Sequence, residues 1–201
     1  MAASSAEWFD VVDARDRVIG RETRSEVHRR GLLHRAVHIL VYRPDGALFL
    51  QKRSAEKDTA PNRWVSSCSG HVDAGEDYEA AARRELGEEL GIDGSTAAIE
   101  LLAEIPAAAE TGWEFVRLYA VRAFAGELHP DPREIAGGVW KSPKEVDEWI
   151  ARAPGDFAQS FLYLWKALRP SSPSITRAAA AGSMAAFPSF GAAPMPNRLC
   201  R

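Results

Sequence analysis

Between Gly70 and Ile92 the chain reads GHVDAGEDYEAAARRELGEELGI, and this run constrains the fold more tightly than any other. Ala82, Leu86 and Leu90 recur every four residues, so a helix through them buries one apolar stripe. Glu85, Glu88 and Glu89 then fall at i, i+3 and i+4 on a neighbouring face. Gly75 and Gly91 bracket the helix. Gly91 stands where a left-handed residue ends a helix, and Glu76 with Asp77 complements the positive helix start. Carboxylates converging on one face raise one another's pKa unless a cation sits among them, and hard oxygen donors on a rigid element suit Mg²⁺ or Mn²⁺. Gly87, inside the helix, costs about 1 kcal/mol relative to Ala, which calls for packing or a close approach there.

The remaining composition fits one enzyme domain with an extension. The chain has 201 residues, 46% of them hydrophobic, and a net charge of −3. That permits one well-buried domain and offers no basic field for nucleic acid. There is no membrane-spanning stretch, and the start MAASSAEWFDVVDARD lacks the basic and apolar regions of a secretory signal, so a cytoplasmic location is expected. Cys68 and Cys200 are the only cysteines, which suits a reducing compartment without a disulfide framework. Residues 1–169 are expected to form the domain. Residues 170–201 are rich in Ala, Ser and Pro and read as a flexible tail, with room for a short helix between Arg177 and Ala186.

Within the domain, Trp8 to Val12 and Val18 to Arg21 read as a small hairpin, and Ser25 to Arg30 as a helical turn ending at Gly31. His34 to Tyr42 is apolar on both alternating faces, as a central strand is. Pro44, Asp45 and Gly46 turn the chain into a strand from Ala47 to Gln51. Strands are expected at Ile99 to Ile105, Trp113 to Phe124 and Ile135 to Trp140, with helices near Pro143 to Ala151 and Phe157 to Leu168.

The spacing of Gly70, Glu76, Arg84, Glu85, Glu88, Glu89, Gly91 and apolar Ile92 resembles the Nudix box of enzymes that hydrolyse diphosphates linked to another group. The resemblance implies an α/β fold, an α/β/α sandwich around a mixed β-sheet. It implies metal ligation by Glu85, Glu88, Glu89 and the backbone carbonyl of Gly70, and a Glu76–Arg84 pair bracing the loop against the helix. Mg²⁺, or Mn²⁺, then polarises a phosphoryl oxygen and lowers the pKa of a bound water. The base is Glu85, Glu110 or Glu114, since family members differ. The substrate is a small diphosphate-containing molecule such as a nucleoside diphosphate derivative, and a homodimer is a frequent assembly of this fold.

Residues 7 to 165 more narrowly resemble the branch that includes isopentenyl-diphosphate isomerase, through HRRGLLHRAVHILVY and LFLQKRSAEKDTAPNRWVSSCSGH. In the isomerase an Arg and a Lys four residues apart bind diphosphate, and Arg53 and Lys57 have that spacing. Its metal site is built from histidines matching His28, His34 and His71 and an acid matching Glu114. The His28 to His34 spacing is one residue shorter than in the isomerase. Two departures point away from isomerisation. Ser69 stands where the isomerase has a catalytic Cys, with Cys68 one position earlier and so on the opposite face of a strand. Arg84 and Glu88, which the isomerase tends to lack, are both present. The expected function is Mg²⁺-dependent cleavage of a diphosphate linkage by activated water. Isopentenyl-diphosphate isomerase and a non-catalytic Nudix-fold ligand sensor are the alternatives, although a sensor would usually have lost box glutamates. His38 reads as a satisfied core histidine, His129 as exposed, Cys68 as a small buried hydrophobe, and Trp64, Trp113 and Trp140 as core anchors.

Overall fold

The computed structural model describes residues 7–168; the expected tail and Cys200 lie outside the described residues. Strands β1 (Trp8–Val12) and β2 (Val18–Thr23) pair as an antiparallel hairpin. Helix α1 (Arg24–Arg30) starts where the Thr23 hydroxyl accepts from the Glu26 amide and ends at Gly31, whose φ of 61° is left-handed.

Strand β3 (His34–Val41) is the centre of the molecule. It pairs in parallel with β8 (Glu114–Val121) and antiparallel with β6 (Cys68–His71), and β7 (Ile99–Ile105) adds antiparallel to β8, giving a mixed sheet in the order β6-β3-β8-β7. A second, antiparallel sheet has the order β5 (Trp64–Val65), β4 (Leu48–Arg53), β9 (Ile135–Lys141). Both faces of β3 are apolar because each meets a different core. Val37, Ile39 and Val41 pack with Leu86 and Leu90 of α2 (Tyr78–Leu90). Leu40 packs with Leu118 and with Phe161 and Leu164 of α4 (Gln159–Ala167), alongside Val146 of α3 (Pro143–Arg152). The expected sandwich of helices around a mixed sheet is what forms. Burying each such Leu or Ile contributes roughly 1.5–3 kcal/mol.

Helix α2 follows its sequence signals closely. The Asp77 carboxylate accepts from the Ala80 amide at 2.8 Å, and Gly91 closes the helix with φ 65°. Ala82, Leu86 and Leu90 are completely buried. Gly87 departs from expectation. It is exposed, and an added Cβ would meet only the Ile92 carbonyl oxygen at 3.7 Å, so no close approach among the described residues requires glycine. Trp113 also departs from its expected place in the core: it is 48% exposed with φ 69°, because it sits in the turn leading into β8 beside Gly31. Among the described residues no helix is long and apolar enough to cross a membrane.

Candidate active site

The site is organised by β6, an edge strand of four residues. Its side chains alternate between two faces. Cys68 is fully buried in the α2 core, and Gly70 faces the same way, toward Glu85. Ser69 and His71 face the other way. The backbone alternates as well. Val72 N donates to Arg35 O, so within the antiparallel register Gly70 and Cys68 direct their amides and carbonyls toward β3. Ser69 and His71 direct theirs outward: Ser69 N donates to Glu89 Oε2 at 3.3 Å, and His71 O accepts from Arg84 Nη2 at 3.0 Å. The expectation for the Gly70 carbonyl is therefore corrected. Gly70 O is turned into the sheet, and Ser69 supplies the carbonyl on the outer edge beside the glutamates. What Gly70 contributes is the missing side chain, since a Cβ there would lie 2.7 Å or less from every atom of the Glu85 carboxyl group.

Glu85 and Glu89 are buried while Glu88 is exposed. Burial pushes Glu85 up to about 7, with Arg84 opposing the shift. Burial and the Glu85 charge push Glu89 up to about 8. Glu89 Oε2 accepts from Gln51 Nε2 at 2.9 Å. Arg84 binds this group together. Its Nε and Nη2 donate to the two Glu76 oxygens at 3.1 and 2.9 Å, and its Nη1 donates to Glu85 Oε1 at 2.6 Å and to Glu88 Oε2 at 3.1 Å. Glu76 thus faces Arg84 as a bidentate partner, and a fixed guanidinium fork spans loop and helix.

A second cluster lies on the His71 side of β6. His28, His34 and His71 each place one ring nitrogen within 4.8 Å of the others. Glu114, paired with His34 across β3 and β8, has Oε1 3.2 Å from His71 Nε2 and 3.6 Å from His34 Nε2. Burial alone would raise Glu114, but the adjacent His34 and His71 rings hold it well below the usual carboxylate range. His34 Nδ1 lies 2.9 Å from Leu32 O, which makes it the donor, while Nε2 is buried without a hydrogen-bond partner. Phe9 floors the cluster, stacking 4.5 Å from the His71 ring and 5.8 Å from His34.

The remaining candidates lie around these groups. Lys57 is ion-paired to Glu134, and Arg53 Nε donates to Thr59 O at 2.8 Å. Glu110 sits exposed in the 3-10 turn Ala109–Thr111. His38 is buried and bonded to Ser66, and His129 is exposed. A cavity of about 530 Å³ lined by Arg43, Phe49, Leu128, Gly138 and Trp140 opens elsewhere on the α2 side, and no candidate above lines it. Phe9, Gln51 and the Ser69 backbone are site elements that sequence reasoning missed. For Gln51 a signal existed: a polar residue closing the apolar run LFLQ, two places from Phe49.

The Nudix domain family model matches residues 32–161. The chain belongs to the Nudix family. An isopentenyl-diphosphate Delta-isomerase from Serratia proteamaculans is 33% identical over 165 residues, covering 81% of this chain and 91% of that protein. An uncharacterized Nudix hydrolase from Nostoc sp. is 35% identical, covering 78% of this chain and 91% of its own length. A solved structure from Deinococcus radiodurans matches with a TM-score of 0.68 and 30% identity, covering 81% of this chain and 97% of that one. Membership supports hydrolase-type chemistry on a small molecule, and Nudix proteins generally use divalent metals such as Mg²⁺.

Proposed function

We propose that this Nudix protein is a Mg²⁺-dependent diphosphohydrolase acting on a small molecule, with Mn²⁺ an acceptable substitute. The observation that carries the reading is the pair of buried carboxylates, Glu85 and Glu89, pressed together opposite Gly70 with both pKa values raised. Arg84 compensates Glu85, whereas Glu89 meets only the neutral donors of Gln51 and the Ser69 amide, so its charge calls for a further cation. Glu85, Glu88, Glu89 and the Ser69 carbonyl fit an all-oxygen divalent ion, and in this reading they would hold it. When bound, the ion lowers the pKa of water and neutralises phosphoryl charge. Arg84 keeps the carboxylates aimed and Glu76 keeps Arg84 in place. Glu85, buried beside the proposed ion, is the group assigned to accept the proton from water. Glu114 is a poorer base, because the histidines hold it so low; its place is as a ligand. Arg53 and Lys57 are assigned to the substrate diphosphate, Lys57 by exchanging Glu134 for phosphate.

Isopentenyl-diphosphate isomerase is the second reading, favoured by the histidine cluster. His28, His34, His71 and Glu114 present nitrogen and oxygen donors, and the orphaned Nε2 of His34 fits a metal ligand. The similarity to an isomerase is as strong as that to Nudix hydrolases. Against it, the Cys68 thiol is buried on the α2 face and pushed well up by that burial, on the far side of β6 from His71.

The deciding experiment supplies Mg²⁺ and a panel of nucleoside diphosphates, sugar nucleotides, dinucleotides and isopentenyl diphosphate, following phosphate release and product mass. Cleavage that survives Cys68→Ala supports hydrolysis. Formation of the dimethylallyl isomer, lost in Cys68→Ala, would overturn it.

A further inference from the structure

The cavity of about 530 Å³ beside β9 takes no part in either reading. Its walls are of three kinds, and each asks something of an occupant. Phe49, Leu128 and Trp140 form an apolar side. The Phe49 and Trp140 rings stand 5.2 Å apart and tilted by 53°, and the Phe49 ring lies so close over Gly138 that an added Cβ would overlap it.

Arg43 and Glu127 bring opposite charges to the same cavity. Arg43 stacks on Trp140 with its Cζ 4.1 Å from the ring centroid, which holds the guanidinium plane and leaves its N–H rim unspent. Neither Arg43 nor Glu127 is ion-paired among the described residues.

The third wall is main chain. Ser54 N donates to Glu134 O, so the even-numbered residues of β4 face β9, and the register gives their ladder bonds to Gly137, Val139 and Lys141. Gly138 and Trp140 therefore turn their N–H and C=O groups to the outer edge, which no described strand covers.

A plain anion such as phosphate would face Glu127 in this cavity. A hydrocarbon would strip water from Arg43 and from the edge of β9 without replacing it. A molecule carrying both charges on an apolar body answers every wall.

We propose that this cavity is a second binding site, taking a small zwitterion with an apolar body, an α-amino acid or dipeptide of the leucine kind. Its carboxylate pairs with Arg43, its ammonium with Glu127, and its side chain packs on Phe49, Leu128 and Trp140. The edge groups of Gly138 and Trp140 satisfy the rest. A volume of this size suits a small ligand. The site is separate from the box: Gly138 pairs with Gln51, whose amide bonds Glu89, but none of the box side chains lines the cavity.

Isothermal titration calorimetry of the full-length protein with leucine and with leucyl-leucine tests this. At least one should bind saturably, and the tighter of the two fixes the length of the ligand. The N-acetylated form of that ligand lacks the ammonium and its amide form lacks the carboxylate, so each should bind about tenfold more weakly. Two variants separate the ends. Arg43→Gln should weaken the zwitterion about tenfold and leave the amide form unchanged, whereas Glu127→Gln should weaken the zwitterion and leave the N-acetylated form unchanged. Both side chains are exposed, so both variants should melt as the wild type does. Binding should persist in EDTA. Failure of both ligands to saturate by about 10 mM, wild-type affinity in either variant, or loss of binding in EDTA overturns the proposal.

Discussion

The carboxyl group of Glu85 occupies the volume that any side chain at Gly70 would need. Gly70→Ala should therefore displace Glu85 while leaving the two cores untouched. We expect the variant to fold with a loss of roughly 1–3 kcal/mol and turnover to fall by about 10²-fold, the cost of a misplacement near 1 Å. Melting and steady-state kinetics check this, and wild-type turnover would remove Glu85 from the chemistry.

Glu89→Gln should separate catalysis from stability. Loss of a metal ligand should cut turnover by roughly 10²-fold or more. Yet Glu89 is pushed up to about 8 by burial and by Glu85, so the amide mimics the form the metal-free fold prefers. In EDTA at pH 9 its melting temperature should equal or exceed that of wild type. A clear drop would show that the buried anion is tolerated without a cation.

The pH dependence of metal-free stability follows from the same groups. Folding raises Glu85 and Glu89 from 4.5 to about 7 and about 8. The unfolded chain releases these protons first, so stability falls as pH rises from about 4.5 to 8. Glu114 shifts downward and works in the other sense: its contribution is complete above 4.5 and fades in acid. His38, pushed down to about 4 by burial, opposes the fall only below its ordinary 6.5, so melting in EDTA should fall between pH 6.5 and 8 and the stabilisation by Mg²⁺ should grow over the same range. A higher metal-free melting temperature at pH 8 than at pH 6.5 would contradict the arrangement of carboxylates.

Gly87→Ala should stabilise the protein by about 0.5–1 kcal/mol, because the position is exposed, helical and free of steric conflict. Thermal denaturation measures it. Destabilisation would contradict the open environment at Gly87.

Helix α2 was legible because three signals agree along it: a four-residue apolar stripe, an acidic N-cap and a left-handed glycine. Strand β3 was legible because an apolar run on both faces has few other uses. Strand β6 was not, since CSGH has neither length nor apolar alternation, and it exists only because β3 pairs with it. For the same reason the family resemblance alone assigned the outward carbonyl, to Gly70 rather than Ser69; backbone direction is fixed by pairing parity, which belongs to two strands at once. Trp113 was placed in the core by its size alone, and its turn overrode that preference. The histidines at 28, 34 and 71 were legible only through family resemblance, because their convergence needs α1, β3 and β6 together.

In β6, side-chain face and backbone direction both repeat every two residues, so four consecutive positions carry four distinct duties. A substitution there disturbs one duty. Inserting or deleting one residue would reverse all of them: the thiol would face the histidines, the imidazole would face α2, and the outer carbonyl would turn into the ladder. Sequence drift in relatives of this protein should accordingly be tolerated between Val65 and Val72 as exchange of residue type and almost never as a change in length, whereas the loop from Ser54 to Asn62 has no such clock to keep.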